Sequence, residues 1–96
     1  MGEIKAKNDL PYDGGRKVDF RTKIPWGSDP HTGFLDPGES GTMESEHIKS
    51  GKDYTVEAQI KYAARRDVHI SIDDVKEGQT VVVVYDGDQY ILKKED

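Results

Sequence analysis

There is no cysteine among the 96 residues. Disulfide staples and thiolate-held zinc or iron–sulfur sites are therefore excluded, and packing and hydrogen bonds must hold the fold together. No apolar run approaches the ~18 residues that cross a bilayer as a helix. The opening MGEIKAKND has no apolar signal core, so membrane insertion is not expected. Met1-Gly2 does not extend to a myristoylation signal, because Ala6 stands where Ser or Thr is needed. Nothing in the chain points to a compartment.

A basic block is missing too. The net charge is −5, and Arg65-Arg66 is followed at once by Asp67. Holding a phosphate backbone takes a concentrated cationic face, so nucleic acid is not an expected partner. The signatures of catalysis are equally thin. The chain has no thiol nucleophile, no G-x-S-x-G elbow and no H-E-x-x-H. Ser40 in GESGT has the neighbours of a serine-protease nucleophile but no histidine–aspartate context to activate it. Neither an enzyme nor a cofactor is expected.

Hydrophobic residues make up 33% of the chain, aromatics 8% and charged residues 34%, a composition close to that of disordered chains. Their placement argues otherwise. DYTVEAQIKY puts Tyr54, Val56, Ala58, Ile60 and Tyr62 on one face and polar residues on the other. DVHISID repeats the pattern with Val68, Ile70 and Ile72. Strict alternation marks half-buried antiparallel strands, and the short AARR between the two predicts a hairpin. TVVVVYDGDQYILKK is a second hairpin around Asp86-Gly87. A two-residue turn there pairs Tyr85 with Asp88, Val83 with Tyr90 and Val81 with Leu92, and places Tyr85 inside. Val82, Val84 and Ile91 form a second apolar face, the best sequence reason to expect weak self-association of an otherwise monomeric chain.

Upstream, EIKAK and KVDFRTKI read as strands, and TMESEHI (42–48) as a charged, weakly patterned edge strand. About seven short strands with no substantial helix predict one all-β domain over 1–96, an antiparallel β-sandwich. The run LDPGES ahead of a strand resembles a pattern of immunoglobulin-like modules, so the sandwich is expected to be immunoglobulin-like.

One stretch breaks the rhythm. Residues 24–42, IPWGSDPHTGFLDPGESGT, hold three of the four prolines, four of the ten glycines and the only tryptophan. A long irregular connection at 25–41 is expected, serving either as a crossover with Trp26 and Phe34 in the core or as a binding loop. On the second reading Trp26, His31, Phe34 and Asp29 are the contact residues. Asp29, Asp36 and Glu39, with His31, are weak calcium candidates, because hard cations take several converging oxygens. Zinc would require His31, His47 and His69 to converge, at a spacing that matches no short motif. The expected function is a non-catalytic module that binds a protein partner through a loop end or a sheet edge. A sandwich that binds carbohydrate through Trp26, Tyr12 and Tyr85, or one that binds calcium, or a structural subunit of a larger assembly, are the alternatives.

Overall fold

The structure, a computed structural model, describes residues 2–61 and 66–95. Eight strands follow in chain order: β1 (Gly2–Asn8), β2 (Val18–Thr22), β3 (His31–Leu35), β4 (Ser40–Ser45), β5 (Tyr54–Ile60), β6 (Val68–Val75), β7 (Thr80–Tyr85) and β8 (Tyr90–Glu95). They form two four-stranded sheets, β4-β1-β7-β8 and β3-β2-β5-β6, which pack as a β-sandwich. All neighbours are antiparallel except β1 and β7, which run parallel at the centre of the first sheet. The only helical turn among the described residues is the 3-10 turn Tyr12–Gly14.

Alternation builds the core. β5 buries Tyr54, Val56, Ala58 and Ile60, β2 buries Val18 and Phe20, and β1 and β7 answer with Ile4, Ala6, Val81 and Val83. Met43, Ile48, Leu10 and Val75 complete one continuous cluster. Each large apolar side chain in it contributes roughly 1.5–3 kcal/mol relative to exposure. Val68, Ile70 and Ile72 of β6 pack along its margin, as their spacing predicts. Tyr62 and the 63–65 part of the expected connection lie outside the described residues.

Four expectations need correction. The stretch 25–41 is not wholly irregular, because β3 occupies His31–Leu35 and pairs with β2. Trp26 and Phe34 do not enter the core: they are 89% and 43% exposed. Adjacent strand residues point to opposite faces, so burying Leu35 turns Phe34 outward. The β7–β8 register is also offset by two, with Tyr85 opposite Tyr90, Val83 opposite Leu92 and Val81 opposite Lys94. Asp86 widens that turn, its Oδ1 accepting the N–H groups of Asp88 and Gln89 at 2.9 Å each. An offset of two keeps every side chain on its expected face, but it leaves Tyr85 at the end of the sandwich. There it is 44% exposed, its ring 5.1 Å from that of Tyr90. Finally, the charged edge strand is shorter than 42–48 and begins earlier, while Ile48 is buried from the loop beyond it.

The second apolar face is smaller than its sequence suggests. Val82 stands between Lys7 and Lys93 in adjacent strands and is buried, although it lies outside the core cluster. Lysine stems readily cover an apolar neighbour in this way. Only Val84 and Ile91, which face each other across β7–β8, remain partly open.

Candidate functional site

Strand pairing decides which loops meet. Thr22 at the end of β2 pairs with Val56 near the start of β5. The connection leaving β2 (23–30) and the one entering β5 (46–53) therefore emerge side by side at one end of the sandwich. Between them lies an open cleft of about 420 Å³, lined by Trp26, Ile24, Lys23, His47, Lys49 and Tyr54 among others.

Each wall is braced. Asp29 Oδ1 accepts the Ile24 N–H at 2.7 Å, and its Oδ2 lies 3.3 Å from Lys23 Nζ. Burial alone would raise the Asp29 pKa, but the Ile24 N–H and Lys23 together outweigh it and hold the carboxyl below its ordinary value. With Ile24 anchored at 7% exposure, Trp26 projects from a closed loop. Gly27 brings that loop onto its neighbour, since a methyl group at this position would sit 3.0 Å from the His47 ring. Across the cleft, the Tyr54 hydroxyl donates to the His47 carbonyl at 2.9 Å and accepts the Lys49 N–H at 2.7 Å. One buried ring thus fixes the backbone that carries His47 and Lys49. Asp53 pairs with Lys76. Among the described residues, the ammonium groups of Lys49 and Lys52 are in no ion pair.

The four contact candidates do not form one surface. Trp26 and Asp29 share a loop, but Asp29 faces inward as its brace. His31 and Phe34 stand on the outer face of β3, opposite Arg21 and Asp19 of β2. Asp19 is only 8% exposed; it accepts the Gly33 N–H at 3.0 Å and lies 3.4 Å from His31 Nδ1. Phe34 lies beneath Lys61, whose Nζ is 5.2 Å from the ring centroid.

The metal candidates are spread apart. Asp36 and Glu39 share the β3–β4 turn, where Glu39 Oε1 accepts the Asp36 N–H at 2.6 Å. Asp29 lies beyond the far end of β3, about 20 Å away at the rise of an extended strand. His31 and His69 occupy the two outer strands of their sheet, and His47 sits in the loop after β4. Among the described residues, no group of three or more His, Asp or Glu side chains converges on a metal-sized space. The aromatics proposed for sugar stacking are also divided: Trp26 is at one end, whereas Tyr12 and Tyr85 belong to the other.

Two residues of the cleft, Lys49 and Lys52, carry no signal in the sequence, and His47 enters there only as a zinc candidate at the end of TMESEHI. Strand direction was the available signal. In an up-and-down chain, the connections after β2 and after β4 fall at the same end. No protein-family model, curated protein or solved structure matches the chain.

Proposed function

We propose that this chain is a non-catalytic recognition module that holds a protein partner at the loop end around Trp26. The observation that carries the reading is the single tryptophan, 89% exposed on a loop that is otherwise braced. Tryptophan buries roughly 150–250 Å² when covered, and it is enriched among residues that dominate interface energetics. A loop closed by Asp29 and seated on His47 through Gly27 has little freedom left to lose, which favours binding. The edges of the first sheet are less inviting. β8 ends in Lys93, Lys94 and Glu95, and β4 carries Glu44, charges of the kind that discourage strand addition.

The test is selection of displayed random peptides on the native protein, followed by affinity measurement against Trp26→Ala and His31→Ala. Trp26→Ala is expected to weaken binding about tenfold or more, as loss of a hot-spot residue does, with the melting temperature unchanged. His31→Ala is expected to bind normally. Equal affinity for Trp26→Ala and the native protein would refute the reading.

A further inference from the structure

We infer that the segment taken by the Trp26 cleft is acidic, a short stretch of a protein partner with carboxylates flanking one apolar side chain. This rests on the cleft being a protein-binding site and adds the chemistry it selects. Two carboxylates at the cleft are already occupied. Asp29 is held by the Ile24 N–H and by Lys23, and Asp53 by Lys76. Glu46 lies 3.7 Å from His47 Nε2 and is neutralised by it only when that ring carries a proton. Lys49 and Lys52, by contrast, meet no carboxylate among the described residues, and they share one turn, closed by the Lys52 N–H donating to the Lys49 carbonyl at 3.4 Å.

The remainder of the molecule sharpens the contrast. A chain of net charge −5 repels an acidic segment from much of its surface, and the lysine-bearing rim of this cleft joins an attractive charge to an exposed tryptophan. Trp26 and Ile24 supply the apolar wall for the central side chain. A basic segment at the same place would set its charges against two uncompensated lysines, which disfavours it at the encounter stage.

Short fluorescein-labelled peptides test this by anisotropy. One has a central Phe flanked by Glu; its twins carry Gln or Lys in place of every Glu. Polygalacturonate and vesicles containing phosphatidylserine serve as anionic comparators. The acidic peptide is expected to bind about tenfold more tightly than the Gln twin at low salt and to lose that advantage at high salt. The double variant Lys49→Glu/Lys52→Glu is expected to keep its melting temperature, lose the acidic peptide and take the Lys twin. If the Gln twin binds as well and the double variant changes nothing while Trp26→Ala still abolishes binding, the acidic preference is wrong and the recognition site stands. If Trp26→Ala has no effect either, both fail. Binding of polygalacturonate or vesicles through Lys49 and Lys52, with no peptide bound, overturns the inference as well.

Discussion

Asn8 is the residue where a small change has most to undo. It is fully buried, and its Nδ2 donates to the Arg16 and Leu35 carbonyls at 2.9 and 2.8 Å. Its Oδ1 accepts the Leu10 N–H at 3.1 Å. One side chain thus ties the β1–β2 connection to the end of β3. Asn8→Ala orphans two buried backbone groups, the Leu35 carbonyl and the Leu10 N–H, while the part-buried Arg16 carbonyl can turn to water; at roughly 1–3 kcal/mol for each buried group, a loss of about 2–6 kcal/mol is expected. The urea midpoint measures it. In the sequence, Asn8 reads only as the first residue of a turn after EIKAK, because two of its partners are 8 and 27 positions away. Asp29 acts through charge. Its pKa in the folded protein lies below that of the unfolded chain, so its contribution is complete above the ordinary carboxylate value of ~3.9 and fades as pH falls through the folded value. Asp29→Asn keeps an acceptor for the Ile24 N–H and removes the titration. Acid unfolding followed by circular dichroism is expected to be shallower below about pH 4 in this variant.

At the scale of elements, β3 shows why part of the fold was legible and part was not. β5, β6 and β7 announce themselves by period two because each lies in regular register over most of its length. The β2–β3 pairing is interrupted between Asp19 and Arg21, where Gly33 adopts φ 78°. The bulge places His31 and Phe34, three residues apart, on the same outer face, so no alternation survives in HTGFL. Side chains replace the lost ladder bonds there, with the Phe20 N–H donating to Thr32 Oγ1 at 3.2 Å and the Gly33 N–H to Asp19. Gly33→Ala forces a methyl group into the left-handed region and is expected to cost about 1–2 kcal/mol, read from thermal unfolding. The β4–β5 connection depends in the same way on one hydroxyl. Tyr54→Phe preserves the core ring but removes its bonds to His47 and Lys49. Faster amide exchange confined to residues 46–53 is the expected result.

At the scale of the whole molecule, the first strand is central rather than peripheral. β1 lies between β4 and β7, and its parallel pairing with β7 joins opposite ends of the chain. Alternation identifies strands and faces but carries no information on such long-range neighbours, so the sheet order was beyond reach of the sequence. The same limit hid the cleft, whose two loops are joined only by the folding of β2 against β5. What the whole fold achieves is to present one tryptophan, and two lysines that meet no carboxylate among the described residues, on one braced end of an acidic molecule. Because Trp26 is the only tryptophan, its fluorescence reports on that end alone. The measurement to make is the emission spectrum of the free protein, in buffer and in urea, and then during titration with a selected peptide. The account predicts a solvent-like spectrum in both free states and a blue shift that saturates with binding. A blue-shifted spectrum in the free native protein, or binding that leaves the emission unchanged, would contradict it.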